Sequence, residues 1–269
     1  MNTDDRAAPK ILTAPYYERL DDLERRHWWC RSVRRVALEM VEPFVAPGAV
    51  VLDAGCGAGG LLEEVTERWP EVRVVGADVS WDALKFARGR GLRGLIVGSA
   101  AELPVASESV DVVFSNDVLQ HLDGEEDSRA LLGTLRVLKR GGVVCVRVNL
   151  GHDGAGGASP SPTAPTEAQH RQYGRQQLAE LLTRAGFRVE RHLVLHPLAG
   201  AMSKGRQRKA QNHESGGGLS TRVPPAPVNS LMDLYVRVED FVVSRLPWTL
   251  AAGDTQVLLA RKSDKRGSS

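Results

Sequence analysis

The chain has 269 residues, 42% hydrophobic and 25% charged, with a formal net charge of +2. That length fits one large domain, or one domain carrying an insertion, with enough apolar material for a core. So small a net charge lacks the basic excess of a nucleic-acid binder, and no nucleic-acid partner is expected.

The first ten residues, MNTDDRAAPK, have neither a basic start nor an apolar run of signal-peptide type, and residues 1–15 are expected to be a flexible N-terminus. From Tyr16 to about Val45 the pattern is helical. Leu20, Leu23, His27, Val33, Val36, Met40 and Phe44 recur at spacings of three or four or their multiples, until Pro43 and Pro47-Gly48 stop the run.

Short apolar strands then alternate with helices. Strands are expected at 49–54, 72–78, 93–99, 110–116 and 142–148, and helices at 59–68, 80–88 and 126–139. Apolar runs of this kind are buried parallel strands, and their alternation with helices specifies an α/β doubly wound sheet. Residues 151–169, rich in Gly, Ala, Ser and Pro, suggest a mobile loop. A helix at about 174–185 and a strand, FRVERHLVL, follow. A second low-complexity stretch at 199–226 contains a basic patch at Lys204, Arg206, Arg208 and Lys209. A helix from about Asn229 to Arg245 and a last strand, TQVLLARK, complete the chain before a short tail. Domain boundaries follow: a core over 16–196 that includes the N-terminal lid helix, an insertion over 197–250, the last strand of the core over 251–262, and a tail over 263–269. No uncharged apolar run approaches the roughly 18 residues of a membrane span, so no stable membrane insertion is expected. Cys30, Cys56 and Cys145 have neither metal nor redox spacing. They suggest reduced thiols in the cytoplasm and no metal site.

The stretch VVLDAGCGAGG, Val50 to Gly60, carries the first chemistry. It contains the dinucleotide pattern G-x-G-x-x-G (Gly55, Gly57, Gly60) and also D-x-G-x-G (Asp53, Gly55, Gly57). A dinucleotide puts its pyrophosphate at the helix that follows, where the carboxylate of Asp53 would face two phosphate charges. S-adenosylmethionine (SAM) has no phosphate and carries a sulfonium and an ammonium, which Asp53 can attract. Gly55, Gly57 and Gly59, with Cys56 between them, let the backbone approach such a ligand. Asp78, ending the second strand, is placed to accept both ribose hydroxyls. Val79 beside it, Ser99 and Ala100 after the third strand, and Asn116 ending the fourth complete the cofactor-binding set.

These stretches in order, VVLDAGCGAGG, VVGADVS, GSAAELP, SVDVVFSNDVLQHLD and LRVLKRGGVVCVRV, resemble the motifs of the class I SAM-dependent methyltransferases over about residues 16–196, and more loosely over the last strand. The resemblance implies a seven-stranded Rossmann-like sheet with an antiparallel last strand, SAM as cofactor and methyl transfer as the activity. ERRHWWCRSVRR and HRQYGRQQLAELLTRAGF further resemble a subgroup that acts on small molecules and often accompanies glycan, glycolipid or natural-product pathways. Cys30 stands where that group usually has an aromatic residue, Ser99 where it has Asp, and Asn149 where it has Pro.

A hydroxyl acceptor has to lose its proton, so bases are sought near the ends of the fourth and fifth strands. His121 is one candidate, either as base or as a residue packing at a helix start. His170 is another, with Tyr173 either positioning the substrate or anchoring the loop by hydrogen bonds. Trp28 and Trp29 would line the acceptor pocket or pack the lid helix, and Arg31 would hold an anionic acceptor or face solvent. In the C-terminal helix Leu231, Leu234, Val238, Phe241 and Val242 share one face, expected to pack into the core, with homodimerisation through that helix as the alternative. The competing functions are a SAM-binding module without turnover and a NAD-dependent enzyme on a similar sheet.

Overall fold

The computed structural model describes residues 13–151, 171–196, 223–245, 253 and 255–263. The strands are β1 (Val50–Ala54), β2 (Arg73–Asp78), β3 (Leu95–Val97), β4 (Val110–Asn116), β5 (Leu138–Asn149), β6 (Phe187–Leu195) and β7 (Thr255–Lys262). The helices are α1 (Ala14–Arg26), α2 (Trp28–Val41), α3 (Gly60–Arg68), α4 (Trp81–Gly89), α5 (Gly124–Val137), α6 (Arg175–Arg184) and α7 (Ala226–Arg245). All seven strands join one sheet in the order β3-β2-β1-β4-β5-β7-β6. The first five are parallel, and β7 enters antiparallel between β5 and β6.

The central strands are apolar because both of their faces are covered. Val51 and Leu52 of β1, Val112 and Val113 of β4, and Val143 to Val146 of β5 are all fully buried. On one face they pack against α2, α3 and α4, and on the other against α5 and α6. From β1 the chain builds outward through β2 and β3, then returns to lay β4 on the other side. The strand order therefore reverses between β1 and β4, and the crevice beyond their C-terminal ends is where such sheets take ligands.

Three expectations need correction. The helical run beginning at Tyr16 is two helices, broken at His27, whose backbone is extended (φ −77°, ψ 126°). The His27 ring accepts the Trp29 N–H and so caps α2. The break is also held from far away: Asn229 of α7 accepts the Trp28 N–H (3.2 Å) and donates to the Arg26 carbonyl (2.8 Å). Second, β5 begins directly at the end of α5, four residues earlier than the apolar run indicates. Third, α7 lies the other way round. Asp233, Val236, Asp240 and Val243 face the protein, while Leu231, Leu234, Val238, Phe241 and Val242 face outward. Ion pairs decide this, because Asp233 meets Arg31 and Asp240 meets Arg35, both on α2.

Candidate cofactor and acceptor site

The loop between β1 and α3 is pinned to the neighbouring strand. The N–H groups of Gly55 and Cys56 both donate to the Ala77 carbonyl, at 2.7 and 3.0 Å. Gly55 has φ +95°, and a Cβ there would lie 2.3 Å from Val118 of the loop after β4, so only glycine fits. Gly59 (φ +84°) caps α3 and lets it close onto Ala87 and Leu92, which is a packing role. The Cys56 thiol turns toward Gly76 of β2, and burial pushes its pKa up. Its share in ligand contact is therefore backbone.

Two carboxylates face this loop. Asp78 accepts the Gly57 N–H on one oxygen and the Ser80 N–H on the other, each at 2.9 Å. Each oxygen keeps a further lone pair, which suits a pair of ribose hydroxyls. Next to it Val79 is 56% exposed, and Val97 at the end of β3 is similarly open, forming an apolar shelf for a base. Ser99 turns its hydroxyl inward to accept the Ala101 N–H (3.1 Å), and Ala100 packs against the core. Ser99 thus shapes the turn beside that shelf. Asp53 is 3% exposed, and its Oδ1 has no hydrogen-bond partner. Burial, with Glu24 and Asp78 adding repulsion, holds its carboxyl well above the ordinary value of 3.8. A buried carboxylate with an open oxygen favours a cation beside it.

Glu24, which sequence reasoning passed over, decides which nucleotide fits. It descends from α1 and accepts the N–H of Gly60, the first residue of α3, at 3.1 Å. The end of α3 where a dinucleotide would place its pyrophosphate is thus taken by the protein's own carboxylate. Arg90, whose side chain is 2% exposed, holds Glu24 (2.9 Å), Asp21 (2.6 Å) and Glu63 together, fixing α1 across the loop. Burial raises the Glu24 carboxyl to about 7 against the opposing pull of Arg90 and Arg34. Leu20 of the same helix lies 3.5 Å from a Cβ on Gly57, so α1 roofs the crevice.

The ends of β4 and β5 form the other edge. Asn116 has a buried Oδ1 without a hydrogen-bond partner. Asp117 follows with φ +59° and pairs with Arg147 of β5, leaving its own Oδ1 buried and without a hydrogen-bond partner. The Arg147 guanidinium lies 4.7 Å from the Trp29 ring centroid, within cation–π range. Trp28 and Trp29 both pack against His196, whose ring burial and the nearby Arg147 and Arg35 lower to about 3, so it is neutral. Sequence reasoning missed Arg147, although a lone cation inside the apolar run VVCVRV is a readable signal.

The remaining candidates are dispersed. His121 is exposed at the end of a short turn after β4, and His170 lies outside the described residues. Arg31 is turned toward Asp233 of α7 (3.7 Å), away from the crevice. Tyr173 is fully buried, with its hydroxyl 2.8 Å from both the Leu119 carbonyl and Asp127, so it anchors the chain where it re-enters the core and does not line the mouth. Burial and Asp127 raise its pKa, which disfavours proton transfer at that hydroxyl. The loop at 152–170 and the basic patch at 204–209 lie outside the described residues. Among the described residues no three His, Cys, Asp or Glu side chains could hold a metal ion, and no helix is long and apolar enough to cross a membrane.

Comparison with known proteins agrees with this geometry. A methyltransferase-domain family model matches residues 52–146. A probable S-adenosylmethionine-dependent methyltransferase of Mycolicibacterium smegmatis is 31% identical over 199 residues, covering 71% of each chain. The U6 snRNA (guanine-N(2))-methyltransferase THUMPD2 of Bos taurus is 39% identical over 117 residues, covering 40% of this chain but only 23% of that protein. Among solved structures, a Haloferax volcanii methyltransferase complex with the activator Trm112 superposes with a TM-score of 0.62 at 19% identity, over 96% of this chain and 99% of that one. The chain belongs to the SAM-dependent methyltransferases, and its cofactor is SAM. The residues present fit that cofactor in kind: Asp53 and Asn116 carry buried oxygens without a hydrogen-bond partner, Asp78 keeps lone pairs beside its two backbone bonds, and Val79 with Val97 leaves apolar surface exposed.

Proposed function

We propose that the chain methylates a small-molecule acceptor at a hydroxyl, on a glycan, glycolipid or natural-product intermediate. What supports this is the edge formed by Asp117, Arg147 and Trp29: a buried arginine under an aromatic ring, paired with a half-buried aspartate, at the strand ends beyond the cofactor loop. Such a wall suits a compact acceptor drawn out of water, whereas a nucleic-acid surface is expected to be broad and basic. SAM supplies a methyl group already activated by its sulfonium. The protein contributes alignment, which is worth roughly 7–11 kcal/mol when reacting atoms are held in line. Asp53 holds the charged end of the cofactor, Asp78 fixes the ribose, and α1 and α2 keep water out. Asp117, whose Oδ1 has no hydrogen-bond partner, joins His121 and His170 as a candidate to receive the acceptor's proton.

The test is to incubate the purified chain with SAM and a panel of hydroxyl, amine and carbon nucleophiles, with structured RNAs alongside, and to quantify S-adenosylhomocysteine by mass spectrometry. Turnover on small hydroxyl compounds and none on RNA is the expected result. Turnover confined to RNA, the substrate class of THUMPD2, would overturn the acceptor assignment, and methyl transfer to amines alone would overturn the hydroxyl.

A further inference from the structure

α7 turns its more polar side inward. Against α2 it presents Asp233 and Asp240 to Arg31, Arg35 and the Ser32 hydroxyl, with Asn229 at its start and only Val236 and Val243 as buried apolar residues. Outward it presents Val228, Leu231, Leu234, Val238, Phe241 and Val242, each between 42% and 67% exposed. An amphipathic helix ordinarily does the reverse, and a continuous apolar stripe in water is the mark of a covered surface.

We infer that this stripe is the interface of a two-fold homodimer in which α7 packs antiparallel against α7 of a second copy. The spacing specifies a helix as the occupant. Leu231, Leu234, Val238 and Phe241 follow one another at three, four and three residues, the alternation of a two-helix seam. That sequence of spacings is its own reverse, so a second copy running the opposite way is in register, with Leu234 against Val238 and Leu231 against Phe241. Charge selects the direction. Arg245 continues the stripe four residues beyond Phe241, its guanidinium 3.7 Å from the Phe241 ring centroid, and in a parallel pair two such arginines would face each other. In the antiparallel pair Arg245 lies opposite Pro227. Arg237 beside the stripe is turned back onto Asp233 at 2.9 Å, which keeps its charge off the seam. The six side chains expose roughly 600 Å² per copy, so complete coverage of both sets would remove at most about 1,200 Å², which reaches the lower end of specific interfaces. This inference is independent of which acceptor is methylated.

Sedimentation velocity on the full chain from about 1 to 100 µM tests it. A dimer is expected, and Val238→Glu should shift the chain to a monomer while SAM affinity, set at the ends of β1 and β2, stays within twofold. Orientation is tested by oxidative cross-linking, since the native Cys30, Cys56 and Cys145 are all buried. The double variant Leu234→Cys/Val238→Cys should form an interchain disulfide, and each single variant should not. A wild-type chain that stays monomeric at 100 µM overturns the dimer. Efficient cross-linking of the single variants overturns the antiparallel arrangement. A monomer that floats with anionic phospholipid vesicles and loses flotation in Val238→Glu assigns the stripe to a lipid surface instead.

Discussion

The two edges of the crevice are built by different means. At the nucleotide edge, between the ends of β1 and β2, backbone groups do most of the holding: the Ala77 carbonyl fixes the loop, and the Gly57 and Ser80 amides fix Asp78. At the acceptor edge, between β4 and β5, side chains hold one another: Asp117 by Arg147, and Arg147 under Trp29. A backbone-built subsite asks only for glycines and a few acids at fixed spacing, and it leaves open oxygens for a ligand of fixed shape. A subsite of paired side chains can be retuned by changing either partner, as an enzyme family with many acceptors requires.

The largest effect that would test the contrast is at Gly55. Gly55→Val puts a branched side chain where a Cβ already falls 2.3 Å from Val118, at a φ of +95°. The loop has to leave its position against Val118, and SAM binding should fall by at least a hundredfold in calorimetric titration while far-ultraviolet circular dichroism is retained. Near-native affinity would mean that the loop does not form the cofactor subsite. Asp78→Ala comes next. Removing a charged acceptor of hydroxyl hydrogen bonds costs roughly 1.5–3 kcal/mol, so the dissociation constant for SAM should rise at least tenfold. An unchanged constant in a folded variant would displace the ribose from Asp78.

Asp53 sharpens the comparison through pH. Its folded-state pKa is raised mainly by burial, so without cofactor its contribution to stability is greatest below the unfolded value of 3.8. That contribution is lost as pH rises through the elevated folded value. Asp53→Asn removes this penalty, and the cofactor-free variant should melt at a higher temperature than the wild type at neutral pH. A cation favours the ionised form, so wild-type SAM affinity should increase with pH across that titration, and the variant's should rise less, with only Glu24 and Asp78 left to titrate beside the loop. A wild-type affinity that stays level with pH, or a variant that binds SAM as tightly as the wild type, would remove Asp53 from the cofactor's charged end.

The same contrast accounts for what the sequence made legible. β4 and β7 lie at the residues their apolar runs indicate, because strands covered on both faces need little else, and the edge strand β6 lies at its indicated residues too, although its first part is open to solvent. Asp53, Gly55, Gly57 and Asp78 are legible for the reason given above, since a backbone subsite has a local spacing. The break at His27 is not, because the apolar spacing continues through it and its staple, Asn229, is some two hundred residues away. Glu24 and Arg90 resemble ordinary surface charges until folding brings α1, α3 and the end of α4 together. In α7 the periodicity was visible and its direction was not, since the choice rests on two aspartates meeting arginines of α2.

The smallest expected effect concerns Tyr173, whose position near the acceptor edge invites a catalytic role. Its hydroxyl is spent between the Leu119 carbonyl and Asp127, and Arg171 also reaches Asp127, so the three residues tie the returning chain to the turn after β4. Tyr173→Phe deletes one hydrogen bond and leaves the ring in place, at a cost of about 0.5–1.5 kcal/mol, with some addition for the buried Asp127 oxygen left behind. The melting temperature should drop by a few degrees. If Tyr173 is only an anchor, kcat and its pH profile on an identified acceptor should remain those of the wild type, with any change confined to KM. A hundredfold loss of kcat at unchanged stability would instead mean that the hydroxyl turns out of the core to reach the acceptor, and the side-chain-built edge would then extend one residue further than its resting hydrogen bonds indicate.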